Sequence, residues 1–181
     1  MIIQFCGLSG SGKTTLATAV QQLLRPRGIP VEIIDGDEYR KLLCADLGFS
    51  KEDRNQNIRR LAFVASKLST HNIVAIICAI NPYDNIRQEI SAKYSNVKTV
   101  HIDCDLDTLI QRDTKGLYKK AMLPTDHPEQ VNNLTGVNDP FDPPEDPDLV
   151  ISSAKESIAV SAEKLAGFII AYYATTNAPA V

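Results

Sequence analysis

Residues 7–14, Gly7-Leu8-Ser9-Gly10-Ser11-Gly12-Lys13-Thr14, have the types and the spacing needed to hold phosphate. Glycines let the chain curl so that backbone N–H groups converge on one point, and a helix beginning there adds the positive end of its dipole. Lys13 then brings a charge to the outer phosphates, Ser9 and Ser11 are bound up in the turn, and Thr14 offers a hydroxyl to Mg²⁺. The pattern G-x-x-x-x-G-K-[ST] carries this meaning only between a strand and a helix. Both are expected here: a short apolar run at residues 1–6, and Leu16, Ala19, Val20, Leu23 and Leu24 at helical spacing. A glycine-rich turn without ligand is the competing reading, and the agreement of pattern with context weighs against it.

Asp35 and Asp37 follow a second apolar run, residues 31–34, and so stand at the C-terminal end of a strand, the edge where open parallel sheets place their ligands. One carboxylate can hold the water shell of a metal while the other accepts a hydroxyl proton, the division of labour that phosphoryl transfer needs. The alternative is structural, with Asp37 capping a helix and Asp35 in the turn. Asp103, which ends the run 97–102, is a rival for the metal shell. Residues 40–67 hold seven basic and three acidic side chains in a chain of formal charge -3, which marks this segment as the place for an anionic acceptor. Arg54 and Asn57 share one helical face there, one a bidentate donor to oxyanions and the other a reader of base or sugar. An ordinary solvated face accounts for Arg59 and Arg60. A second basic cluster, residues 112–120, has Gly116 as a pivot and reads as a phosphate-covering lid beside the glycine loop, with a solvated tail as its alternative.

Strands are expected at residues 1–6, 31–34, 73–80 and 97–102, and helices at about 38–47, 51–70, 83–94 and 154–173. This alternation predicts an α/β fold, a doubly wound parallel sheet with helices on both faces, of the P-loop nucleoside triphosphate hydrolase/kinase type. With 181 residues a single domain is expected over 1–181, including a lid region at about 112–148. Residues 124–147 hold six of the ten prolines and no lysine or arginine, so regular structure is not expected there. The slightly negative total charge argues against nucleic acid and anionic membrane as partners. The longest apolar run, residues 73–80, is far below the roughly 20 residues of a spanning helix. No secretory signal opens the chain, and Cys6, Cys44, Cys78 and Cys104 form no close pair, so a cytoplasmic protein with reduced thiols is expected. No Asn-Lys-x-Asp guanine signature occurs and the length leaves little room for a motor, which favours a small kinase.

Several segments together resemble the adenylyl-sulfate (APS) kinases: residues 7–16, Asp35-Gly36-Asp37 with Arg40, residues 47–54 with 57–60, Arg112-Asp113 with 115–121, and Thr135-Gly136-Val137 with Pro140-Phe141. The resemblance spans about residues 2–151. It implies transfer of the ATP γ-phosphate to the 3′-hydroxyl of adenylyl sulfate, small nucleotides as partners, and often a homodimer. Carried over, it implies Lys13 and Asp37 as catalytic residues. ATP and Mg²⁺ would meet Gly7, Ser9, Gly10, Ser11, Gly12, Lys13, Thr14, Thr15 and Arg112, with Thr14 on the metal. The acceptor would meet Asp35, Arg40, Phe49, Arg54, Asn57, Ile80, Asn81, Lys115, Gly116, Leu117 and Phe141, the two phenylalanines sandwiching its adenine. Asn81 stands where the family carries serine, residues 122–133 replace a short basic segment, and Leu134 replaces an aromatic. An amide is no nucleophile, so direct transfer without a phosphoenzyme is expected. The alternatives are a relative acting on another nucleotide anhydride and a nucleotide-dependent interaction module without catalysis.

Overall fold

Alternating side chains in apolar strands point to opposite faces, so a strand buried on both must be apolar throughout. In the computed structural model, which describes residues 1–176, two strands are buried at all five positions: β1, Ile2–Cys6, and a strand at Val74–Cys78; the second is apolar throughout, and the one polar residue of β1, Gln4, has its amide satisfied by Arg87, Ser91 and Thr99. In chain order β1 is followed by α1 (Lys13–Leu24), β2 (Val31–Asp35), α2 (Gly36–Leu42), α3 (Lys51–Ser69), β3 (Val74–Cys78) and α4 (Asp84–Lys93). Then come β4 (Val97–Asp103), α5 (Leu106–Arg112), α6 (Leu117–Ala121), β5 (Leu149–Ser152) and α7 (Ile158–Thr176). The strands form one parallel sheet in the order β2-β3-β1-β4-β5, with β1 and β3 side by side in its interior.

Period 2 in the strands divides the core in two. Ile3, Phe5, Val74, Ile76, Val100 and Ile102 meet Leu16 and Val20 of α1 and Leu165 and Ile169 of α7 on one face. Ile2, Ala75 and Ile77 meet Leu61 and Ala65 of α3 and Ile86 and Ile90 of α4 on the other. At nearly 1 kcal/mol per buried methylene, these two layers are the main force aligning the strand ends that carry the site. The expected doubly wound parallel sheet is therefore present.

Local chemistry moved several boundaries. The α2 helix spans 36–42 where 38–47 was expected, because Asp35 caps it two residues early, accepting from the N–H groups of Asp37 and Glu38. At its other end Cys44 turns into the interior, with the Leu43 carbonyl and the Asp46 carboxylate both held by Arg60. The start of α3 matches expectation, since the Ser50 hydroxyl accepts from the Asp53 N–H. The last helix begins at Ile158 and not at 154, behind Ser157, whose hydroxyl accepts from the Val160 N–H. Three short elements were not anticipated: α5, α6 and the edge strand β5. Each is too short for periodicity to show. Between Ala121 and Leu149 the described residues form neither helix nor strand, as expected, yet the segment is held by a small third core of Cys104, Leu109, Tyr118, Ala121 and Leu134. No helix among the described residues is long and apolar enough to cross a membrane.

Candidate active site

The phosphate loop leaves β1 beside the end of β3, where the Gly7 N–H donates to the Ile80 carbonyl at 3.1 Å. Gly7 cannot be larger: a Cβ there would lie 2.5 Å from the Ile102 carbonyl oxygen. Gly12, at φ 91°, begins α1 and supplies no side-chain cap. The N–H groups of the first helical turn are therefore left for a ligand, at the positive end of the dipole. Lys13 turns its ammonium inward, donating to the carbonyls of Gly7 (2.8 Å) and Leu8 (2.7 Å) and to the Ser11 hydroxyl (3.3 Å). Burial, the largest influence, pulls its pKa down to about 8.

Across β3 from this loop, the carboxylate of Asp35 accepts from the Thr14 hydroxyl at 2.7 Å. Its other oxygen caps α2, so the capping role that the structural alternative gives to Asp37 falls to Asp35. Asp37 is exposed and pairs with Lys115, which reaches over from the segment before α6. These groups line a cavity of about 240 Å³ together with Ser9, Gly10, Thr15, Cys78, Ile80 and Thr114. A second cavity, about 270 Å³, lies on the other side of the start of α1 and shares Gly12 and Thr15 with the first. Arg112 lines it and donates to the Ser153 carbonyl at 3.2 Å. Asp103, the rival carboxylate, lies at the exposed end of β4, where its carbonyl accepts from Ser153; neither cavity includes it.

Four of the expected acceptor residues, Arg40, Phe49, Arg54 and Asn57, gather on α2, α3 and the loop between them. Arg40 donates to the Gly48 carbonyl and lies 4.3 Å from the centroid of the Phe49 ring, which Arg54 approaches to 5.6 Å. Burial and the neighbouring Arg54 lower the pKa of Arg40. Arg54 is buried and already engaged: it donates to the carbonyls of Phe49 (3.0 Å) and Asn133 (2.6 Å) and lies 3.4 Å from the Asp139 carboxylate. Asn57 is buried with no partner for its Oδ1. Phe141 lies beside His101, ring centroids 6.0 Å apart, and Phe49 beneath Arg40, so each of the two phenylalanines has its own neighbour. Asn81, at φ 48°, is buried beneath the site, its Nδ2 donating to Gln4 at 3.3 Å and its carbonyl accepting from Arg87. Of the pair, Ile80 lines the P-loop cavity and Asn81 does not. Gly116, at φ 66°, precedes α6, whose first residue is Leu117.

Sequence reasoning missed Asp139 and Tyr118. Asp139 accepts from Tyr83 (3.3 Å) and Thr135 (3.4 Å) as well as pairing with Arg54, and Tyr118 donates to the Ser9 carbonyl at 2.8 Å. Tyr118 lay inside the quoted segment 115–121, whereas Asp139 fell in the gap between Val137 and Pro140 and had no signal of its own.

A parallel sheet of this strand order, with a phosphate loop between β1 and α1 and a carboxylate of β2 on the threonine of that loop, defines a P-loop phosphotransferase. A model of the adenylylsulphate kinase family matches residues 1–152, and the chain belongs to that family. It is 43% identical over 157 residues to the adenylyl-sulfate kinase of Synechococcus sp. (strain JA-3-3Ab), covering 87% of this chain and 86% of that one. With the enzyme of Chloroflexus aurantiacus the identity is 46% over 149 residues, covering 82% and 77%. The fold superposes on the Mycobacterium tuberculosis APS kinase in complex with AMPPNP and APS with a TM-score of 0.85 at 35% identity, covering 93% of this chain and 96% of that one. It also matches a hexameric APS kinase from Thiobacillus denitrificans, with a TM-score of 0.64 at 28% identity, covering 97% of this chain but only 28% of that one.

Proposed function

We propose that this protein transfers the γ-phosphoryl group of ATP to the 3′-hydroxyl of adenylyl sulfate, giving 3′-phosphoadenylyl sulfate and ADP. The observation that carries the mechanism is the convergence of Lys13, Thr14, Asp35 and Asp37 on one cavity at the C-terminal edge of the sheet. The open N–H groups of the loop receive the β- and γ-phosphates, and Lys13 exchanges its bonds to the Gly7 and Leu8 carbonyls for the outer phosphate oxygens. Thr14 and Asp35 form a hard-oxygen pair of the kind Mg²⁺ takes alongside phosphate and water, and they are the residues that would hold it. That ion supplies charge neutralisation on the phosphates. Asp37 orients the acceptor hydroxyl and takes its proton, after Lys115 has released the carboxylate. The cavity beside Arg112, continuous with the start of α1, accommodates the rest of the donor nucleotide.

The acceptor lies along Arg40, Phe49, Arg54 and Asn57, with Phe141 and Lys115, Gly116 and Leu117 closing on it. Residues 112–148 serve as the lid of a single catalytic unit. Transfer is direct, from ATP to the hydroxyl held by Asp37; Asn81, engaged by Gln4 and Arg87, offers no hydroxyl as a covalent relay. The Mycobacterium complex with AMPPNP and APS supports the same pair of ligands here. Assembly as a homodimer and a cytoplasmic location complete the reading; four unpaired cysteines suit a reducing compartment.

The test is ADP release from ATP and Mg²⁺ with adenylyl sulfate, AMP or no acceptor. Release that depends on adenylyl sulfate is expected, with AMP a poor substitute because it lacks the sulfate. Absence of ADP release with every acceptor would point to the interaction module instead. Arg54→Ala should raise the KM for adenylyl sulfate roughly 10- to 150-fold, the worth of a charged hydrogen bond, while the KM for ATP stays nearly constant. Freeing Asn133 and Asp139 should also lower the melting temperature. Equal losses for both substrates would mark Arg54 as a structural tie.

A further inference from the structure

A loop that turns its N–H groups toward a ligand turns its carbonyls into the protein, and each buried carbonyl then needs a donor. In this loop Gly7 and Leu8 are served by the Lys13 ammonium, but Ser9 is served from outside, by the Tyr118 hydroxyl at 2.8 Å. We infer that Tyr118 is a positioning residue of the phosphate cradle: its hydroxyl fixes the Ser9–Gly10 peptide so that the Gly10 N–H faces the phosphates. This inference rests on the assignment of residues 7–14 to ATP.

The geometry follows from the planar peptide. No peptide bond among the described residues is cis, and in a trans peptide the C=O and the next N–H point in opposite directions. Whatever holds the Ser9 carbonyl therefore aims the Gly10 N–H the other way. Gly10, at φ 76°, has no side chain with which to hold that peptide, and glycine meets little resistance to rotation. The restraint must come from the partner of the carbonyl.

Tyr118 is suited to supply it. Its ring is buried among Cys104, Leu109, Ala121 and Leu134, and its N–H donates to the Asp113 carboxylate at 3.1 Å, so the hydroxyl projects from a fixed base. Burial pushes the phenol pKa up to about 12, which keeps it protonated and a donor at any working pH. The same short segment also carries Lys115, whose exposed side chain pairs with Asp37. The segment is thus pinned to the phosphate loop at Tyr118 while its leading end meets the candidate base.

Tyr118→Phe removes the hydroxyl and keeps the ring. The measurements are AMPPNP affinity in the presence of Mg²⁺, the KM for adenylyl sulfate, the melting temperature without nucleotide, and amide hydrogen exchange across residues 2–12. We expect the AMPPNP Kd to rise roughly 3- to 10-fold, the KM for adenylyl sulfate to stay the same, and melting to fall by only a few degrees. Exchange at residues 9–12 should quicken in the nucleotide-free variant while β1 is unaffected. Unchanged AMPPNP affinity and exchange would overturn the inference. So would equal losses for both substrates with a large drop in melting temperature, which would mean that Tyr118 only packs. If the wild type fails to bind AMPPNP, the ATP assignment falls, and the exchange comparison alone judges the anchor.

Discussion

Replacing Lys13 with alanine is expected to lower turnover by about two to three orders of magnitude, the usual cost of removing one preorganised donor from charge that develops in the transition state. The effect is large because nothing nearby substitutes for it. The other lysine of the cavity, Lys115, is exposed and pairs with Asp37. A second readout follows from the pKa of Lys13, which burial lowers to about 8. Raising the pH from 6.5 to 8.5 moves the free protein toward the neutral amine, and phosphate binding restores the ammonium by placing negative charge against it. ATP binding should therefore take up a fraction of a proton at pH 8.5 and almost none at pH 6.5. Titration calorimetry in buffers of different ionisation enthalpy measures this. The uptake should vanish in Lys13→Ala. Turnover within a few-fold of wild type in that variant would end the kinase assignment.

Asp37→Asn should reduce kcat by about 100- to 10,000-fold, the range found when a general base is removed, while ATP affinity changes little. The asparagine keeps the size and much of the hydrogen bonding, so the loss isolates the charge. Asp35→Asn serves as the contrast: it weakens the partner of Thr14 and should appear chiefly as a raised Mg²⁺ requirement. If Asp35→Asn abolished proton transfer and Asp37→Asn did not, the two roles would be reversed. Steady-state kinetics at saturating ATP across a range of Mg²⁺ concentrations separates the outcomes.

The phosphate loop, its strand and its helix were legible in the sequence because the cradle is made by consecutive residues. Backbone N–H groups bind the phosphates, so glycine spacing and one lysine encode the geometry locally. The same holds for the two-layered core, whose strand alternation and helical spacing are local patterns, and for Ser50 as the cap of α3. The motif segments of the resemblance were likewise readable as residues in order. Their contacts were not, because those join elements far apart in the chain.

Asp35 and Asp37 are two residues apart and chemically alike, and both face the loop edge. Only the parallel order of β2, β3 and β1 brings Thr14 within 2.7 Å of Asp35 and leaves Asp37 to Lys115. Arg54 was found as a cation on a helix, but its capture by Asn133 and Asp139 required the segment after α6 to fold back across some eighty residues. The short elements α5, α6 and β5 gain their stability from packing and pairing with distant parts, through the Tyr118 cluster and the edge of β4, and not from their own periodicity. A sequence displays which groups are present and which are neighbours along the chain. Which carbonyl a buried tyrosine meets, and which of two aspartates a threonine meets, is decided when the sheet closes, because each bond forms only after distant apolar layers have fixed both partners in place.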